Sequence, residues 1–288
     1  MHSRLLVLAA AVLWSTSGAC IKSTGLPAMQ VAAGRSFFAA IFFALLLPQA
    51  RRGWDRRTFL VGVAYAVTTV LFVLANKKTT AANAIFLQDT APFWVLLLAP
   101  WILGEKPTRG ELLSAPVYLL GIGLFFLDEL SSGERAGNVL ALISGVSFAF
   151  LIVWMRRMRD GGAEAAILAG NLMGLAVAAP SFFLEPAPVR TIDVGILVFL
   201  GTFQLGLAYL CFLRGLRGVS ALEGALLALF EPVLNPIWTY LVAGEQPKPW
   251  ALAGASLVLL ATVGRLVAPA RAKNPAAAGN LTRGVAAD

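Results

Sequence analysis

Ten runs of apolar residues follow one another along the chain, at 5–21, 31–48, 59–75, 81–103, 112–127, 138–155, 165–184, 194–213, 221–243 and 250–268. A helix needs about 20 such residues to cross a hydrocarbon core of roughly 30 Å. The links between the runs are short, mostly about three to ten residues, which leaves no room for a separate soluble domain. The pattern predicts an all-α integral membrane protein with ten transmembrane helices. One run departs from it. The stretch 221–243 carries Glu231, Pro232, Asn235 and Pro236 in its middle, where a charge is costly and a proline breaks the hydrogen-bond ladder.

That run closes on Gly244-Glu245-Gln246-Pro247. The run 81–103 closes on Gly104-Glu105-Lys106-Pro107 and carries Pro92 at the corresponding depth. Pro92 and Pro232, Gly104 and Gly244, Glu105 and Glu245, and Pro107 and Pro247 are all separated by the same 140 positions. Weaker echoes pair Leu13-Trp14-Ser15 with Ser147-Phe148-Ala149 at an offset of 134, and Leu112, Leu119 and Leu120 with Leu252, Leu259 and Leu260 at 140. Leucines recur by chance among ten apolar helices, but a proline followed by Gly-Glu-x-Pro at one offset does so far less readily. The expected organisation is a first five-helix repeat at 1–133, a second at 134–268, and a disordered cytoplasmic tail at 269–288, rich in Ala, Asn, Gly and Arg. Five crossings is an odd number, so the second repeat enters the membrane from the opposite side and the halves are inverted.

Charge sets the orientation. Of the 23 Lys and Arg residues, 16 fall at the N-terminus, the even-to-odd links and the C-terminus, 6 fall on the opposite side, and Arg35 lies inside the second run. By the positive-inside rule both termini are cytoplasmic, as in a multi-pass protein of a bacterial inner (plasma) membrane. His2 and Arg4 followed by apolar residues up to Cys20 also fit a signal or lipoprotein peptide. Removing that run would leave nine helices and a broken repeat, so it is read as the first helix.

Composition narrows the function. The chain is 58% hydrophobic and 13% charged, with mean hydropathy +0.78, a membrane composition. The net charge of +8 is split into short clusters between apolar runs, so no nucleic-acid partner is expected. Cys20 and Cys211 both lie in apolar runs, which argues against a disulfide framework. The single histidine, His2, is terminal, so histidine-dependent catalysis, a His-rich metal site and a bound cofactor are not expected. Neither Gly-x-Ser-x-Gly nor His-Glu-x-x-His occurs, which leaves an intramembrane enzyme without its machinery.

Two five-helix halves, each ending its fourth helix in Pro…Gly-Glu-x-Pro, resemble the drug/metabolite transporter superfamily, in its bacterial ten-helix EamA-type branch. Leu13-Trp14-Ser15 is similar to the family's first-helix signature, and Arg35 stands where its second helix commonly has an arginine. The resemblance covers about residues 4–268. It implies alternating access around a central cavity lined mainly by the first, third, fourth, sixth, eighth and ninth helices. It also implies export of small metabolites, with amino-acid exporters a populated branch.

The residues themselves suggest where chemistry could sit. At 100° per residue, Glu231, Asn235 and Trp238 share one stripe of the ninth helix, with Gly224 two turns earlier. On the fourth helix Asp89 shares a face with Ile85, Pro92 and Phe93, while Gln88 points about 100° away. Asp89 corresponds to Leu229 rather than Glu231, so the acidic positions are not mirrored. Glu231 and Asp89 are the candidate proton-coupling carboxylates. Trp14 and Ser17 on the first helix, Tyr65 on the third, and Gln204 and Tyr209 on the eighth join apolar surface to a hydrogen-bonding group, as a wall for a mixed substrate should. With Gln88, these complete the candidate cavity. Each has a plainer reading as packing or as part of an interfacial belt. Glu223, Glu105 and Glu245 read as helix-end and turn residues, and Arg35 either as a group that snorkels to the interface or as one that neutralises an anion.

The leading expectation is therefore a secondary transporter exporting small metabolites such as amino acids or related amphipathic compounds. The partners are a small-molecule substrate and the lipid bilayer, with monomer and homodimer both open. An uncoupled facilitated exchanger and a channel or scramblase are the competing readings.

Overall fold

A computed structural model describes residues 1–125, 135–234, 238 and 249–267. All regular structure among them is helical. Ten helices are numbered here in chain order. α1 runs His2–Trp14 and, after a two-residue break, Ser17–Ser23; α2 is Ala28–Leu46; α3 is Arg56–Lys78. α4 is split into Ala81–Gln88 and Ala91–Leu103, and α5 is Arg109–Phe125. α6 is Arg135–Arg157, and α7 is Ala163–Ala178 with a last turn at Ser181–Leu184. α8 is Thr191–Phe199, a wide π-type stretch Leu200–Leu207, and Ala208–Leu216. α9 is Ala221–Ala228, with 231–234 also helical, and α10 is Pro249–Val267. Among the described residues, seven helices (α1 to α4 and α6 to α8) are long and apolar enough to cross a membrane.

Helix ends reach past the apolar runs. α3 ends on Lys77-Lys78 and α6 on Arg156-Arg157. Lys77 donates to the Thr24 carbonyl and Arg156 pairs with Glu105, each at 2.9 Å, so these charged turns are held inside the helices although a hydropathy reading trims them away.

The halves are related by a two-fold exchange. α1 packs on α8 as α6 packs on α3, and α2 packs on α8 as α7 packs on α3. α4 meets α6 as α9 meets α1, while α2 with α7, α4 with α9 and α5 with α10 pair across the axis itself. Each pair maps onto another, or onto itself, when the five helices of one half are swapped for those of the other. That is the contact pattern of a two-fold axis, and with five helices per half the axis lies in the membrane plane. The fold is thus ten helices in two inverted repeats.

The 140-residue offset extends to the helix caps. Thr80 caps α4, its hydroxyl accepting the Asn83 amide at 3.0 Å, and Ser220 caps α9, accepting the Glu223 amide at 3.0 Å. Each helix then runs eight residues and breaks, α4 at 89–90 and α9 at 229–230. The cause is the proline that follows. Pro92 and Pro232 have no N–H to give the carbonyl four residues back, and their rings crowd it, so Gln88 and Ala228 end the first segments. Gly104 ends α4 at φ 67°, a left-handed cap that glycine adopts without steric cost. Its counterpart Gly244, the Glu245–Pro247 turn, Pro236 and the 269–288 tail lie outside the described residues.

Candidate functional site

Four irregularities meet between the halves. α1 breaks after Trp14, where the Ser15 and Thr16 hydroxyls each turn back to donate to the carbonyl three residues earlier, Val12 and Leu13, both at 2.7 Å. Those bonds compete with the backbone ladder at the point where it fails. The breaks in α4 and α9 and the π-type stretch of α8 complete the set. Together they surround a cavity of about 30 Å³, room for a water molecule or two. Trp14 and Ser17 line it from α1, Arg35 from α2, and Thr68, Thr69 and Phe72 from α3. Gln88, Phe148, Gln204, Leu205, Tyr209 and Glu231 close it from α4, α6, α8 and α9.

One wall is aromatic. The Trp14 ring is 5.6 Å from Phe148, 5.1 Å from Tyr209 and 5.0 Å from Phe212, and Tyr209 stands 4.8 Å from Tyr65. Edge-on contacts at these spacings are the favoured geometry between ring quadrupoles. Tyr65 is fully buried one layer behind the lining.

The other wall is polar. Gln88 donates to the Ser144 hydroxyl at 2.7 Å, and Ser144 donates to the Thr68 carbonyl at 2.8 Å, tying α4, α6 and α3 together. Glu231 borders the cavity, and Asp89 lies within electrostatic reach of it, so the two carboxylates of different halves approach each other despite their unmatched positions. Both are buried. The Ser17 hydroxyl, the Asp89 Oδ2, the Gln204 Oε1 and the Arg35 Nε are buried with no hydrogen-bond partner among the described residues. Each such group forfeits its solvation; three of the four (Ser17, Gln204 and Arg35) line the cavity and Asp89 lies behind it, so a polar solute there could meet groups left open.

Six expected residues (Trp14, Ser17, Gln88, Gln204, Tyr209 and Glu231) thus border one space, with Asp89 and Tyr65 just behind it. Trp238 donates its indole N–H to the Ser15 hydroxyl at 2.9 Å, bracing the break in α1 from the opposite half. Asn235 lies outside the described residues. Gly224 packs against Leu216 of α8 rather than toward the cavity. Arg35, which a sequence reading could send to the interface, is 1% exposed and lines the cavity. Thr68, Thr69, Phe72 and Phe148 complete the wall; threonine and phenylalanine in an apolar run carry no signal of which way they face.

A second cleft of about 640 Å³ opens at the basic end, between the α2–α3 link and the end of α6. It lies outside the helix breaks and shares no residue with the central cavity.

Both ends of the bundle are tied across the halves. At the basic end Glu223 accepts Arg4 and Arg265, each at 2.8 Å, and Glu105 holds Arg156 at 2.9 Å. Glu105 also accepts the Ala221 amide at 3.1 Å, and Ser220 donates to Glu111. Glu105 is therefore a capping residue, but for the helix of the other half. At the opposite end the Gly25 amide donates to Asp193 at 3.2 Å, Thr79 to Asn138 at 3.0 Å, and Gln30 to the Glu185 carbonyl at 2.6 Å.

Comparison with known proteins agrees with this architecture. The chain matches the EamA-like transporter family over residues 3–127 and again over 135–266. It belongs to that family. The two matched stretches are the two halves of a family transporter, and the seven long apolar helices make it a multi-pass membrane protein. An uncharacterized protein of Pseudomonas aeruginosa is 30% identical over 87% of this chain and 88% of its own length. An uncharacterized transporter of Archaeoglobus fulgidus is 27% identical over 88% of this chain and 92% of its own. The pseudopaline exporter CntI of Pseudomonas aeruginosa is 27% identical over 90% of this chain and 94% of its own. A crystal structure at 20% identity shares the fold with a TM-score of 0.76 over 91% of this chain and 95% of the other.

Proposed function

We propose that this EamA-family transporter is a secondary exporter of small amphipathic metabolites, amino acids or their relatives, working by alternating access around the central cavity. The observation that carries this reading is the meeting of three helix breaks and two buried carboxylates at one contracted space between inverted halves. A space of about 30 Å³ holds no metabolite, so a solute enters only when the halves separate at one end. Broken helices suit this, because their free carbonyls can be satisfied by a solute's donors. The relative named as a pseudopaline exporter supports export of a metabolite. The clustering of basic residues at one end supports a bacterial inner-membrane protein with both termini in the cytoplasm.

Glu231 and Asp89 are the coupling pair. Two ionised carboxylates this close repel, so a proton or a substrate ammonium arriving beside them is held by both. Proton and solute then compete for one place, the requirement for exchange in opposite directions. The test uses purified protein in liposomes loaded with labelled amino acids and an imposed pH gradient. Wild type is expected to exchange solute and to respond to the gradient, while Glu231→Gln and Asp89→Asn lose that response. If both variants keep the wild-type pH dependence, neither carboxylate couples and the protein is a facilitated exchanger. No flux across a broad amino-acid and metabolite panel, with the fold intact, overturns the amino-acid reading.

A further inference from the structure

We infer that Arg35 is the anion-recognising residue of this cavity: the transported solute presents a carboxylate to Arg35 and its cationic group to Glu231 and Asp89. The assignment rests on the transport reading above and adds to it which end of the solute meets which half.

Arg35 sits in the middle of α2, seven residues from its start, about 10 Å at 1.5 Å per residue. Neither end of the helix is close enough to let a 1%-exposed side chain reach water. Its guanidinium donates to the Thr69 carbonyl, its Nε has no partner, and it forms no ion pair among the described residues. The Arg265 Nε also lacks a hydrogen-bond partner among the described residues, but the other deeply buried arginines differ in their ion pairs. Arg4 and Arg265, 5% and 8% exposed, both clasp Glu223 at 2.8 Å. Where this fold buries an arginine for structure, it supplies a carboxylate.

An uncompensated cation inside a membrane protein is expensive, and a single carbonyl does not neutralise it. Such a charge persists where a ligand completes it. The guanidinium fork matches a carboxylate with two parallel bonds. Arg35 borders the cavity, and Tyr209, which lines it too, lies within its electrostatic reach and offers a further donor for the same anion. The same cavity carries the opposite sign on Glu231, with Asp89 near it and the Trp14 ring on the intervening wall. A site positive on one helix and negative on another selects solutes that carry both charges. It disfavours simple amines and simple acids, each of which leaves one buried charge unmet.

The probes are the twenty L-amino acids and their α-amides, which keep the amine and side chain but lose the carboxylate. Flux into proteoliposomes is measured for each pair with wild type, Arg35→Gln and Arg35→Lys. Wild type is expected to prefer the acid over its amide by roughly 10- to 100-fold, the range for hydrogen bonds to a charged group. Arg35→Gln erases that preference, and Arg35→Lys retains part of it. Melting temperatures without solute give a second readout. Arg35→Gln is expected to melt at or above wild type, because it removes a lone buried charge and breaks no ion pair. Equal flux of acid and amide through wild type, a preserved preference in Arg35→Gln, or an Arg35→Gln protein that melts several degrees lower or fails to insert would each overturn the assignment and leave the transport reading standing. No flux of any probe through wild type overturns the amino-acid reading and this assignment together.

Discussion

Asp55 fixes where α3 begins. Its carboxylate accepts the Thr58 amide at 2.8 Å and the Thr58 hydroxyl at 2.9 Å, and these bonds hold its pKa below the ordinary 3.8. A carboxyl lowered on folding stabilises above its unfolded pKa and stops doing so as pH falls through the folded value. Asp55→Asn keeps the capping shape without the charge. It is expected to melt lower than wild type at neutral pH, with the gap closing as the medium is acidified below 3.8; melting curves in detergent from pH 7 to pH 3 check this. At the same scale, Glu231 was legible as a candidate because a carboxylate in an apolar run is conspicuous by itself. Arg35 was equally conspicuous, yet its role was not, because only the packing of α2 and α8 decides whether its long side chain turns outward or inward. The wall residues Thr68, Thr69 and Phe72 were not legible at all: Phe59 of the same helix faces outward, and a threonine that donates to the carbonyl four residues earlier, as Thr68 and Thr69 do, can be satisfied on any face.

At the scale of elements, the breaks that follow prolines were readable and the others were not. Pro92 and Pro232 announce where α4 and α9 fail. The break in α1 and the π-type turns of α8 have no proline inside them; they come from hydroxyl back-bonding and from contact with neighbouring helices. One such contact is testable. α6 passes over the break in α4 at Gly145, where a Cβ would stand 2.8 Å from the Leu87 carbonyl oxygen and 2.9 Å from that of Gln88. Backbone cannot yield as a flexible side chain can, so Gly145→Ala must push α6 away. A loss of about 1–3 kcal/mol is expected from such overpacking, read as a lower unfolding temperature. The Gln88–Ser144 hydrogen bond, one helical position away, should loosen with it, and amide protection in α4 would report that by hydrogen exchange.

Across the whole molecule, the duplication was visible in four matched positions and proved to organise every major helix contact. What the sequence could not convey is that the two ends are closed by different chemistry. The basic end ties the halves together through ion pairs of carboxylates with arginines. At the other end Asp193 pairs with Arg190 of its own half, and the ties across the halves are hydrogen bonds, from the Gly25 amide to Asp193, from Thr79 to Asn138 and from Gln30 to the Glu185 carbonyl. Glu223→Gln leaves Arg4 and Arg265 facing each other. Breaking a buried ion pair from one side costs about 3–5 kcal/mol, and the strain is relieved if that end admits water. The variant is expected to open at the basic end, so that a cysteine placed at Leu222, 4% exposed in the closed form, reacts faster with a membrane-impermeant maleimide. Unchanged labelling would place the closure elsewhere.

If the halves work by alternating access, the different chemistry at the two ends bears on how the unloaded protein rests. A scaffold with perfect inverted symmetry would make its two open forms mirror images of equal energy, each occupied half the time. The scaffold here is close to that condition, down to caps and helix breaks at one fixed offset. Its degeneracy is lifted by a few side chains: the carboxylate at 223, clasped by two arginines, stands where the other half has Asn83. On the alternating-access reading, the direction this protein faces while it waits is a property of that triad, and exchanging residues between 83 and 223 would be the shortest route to turning it around.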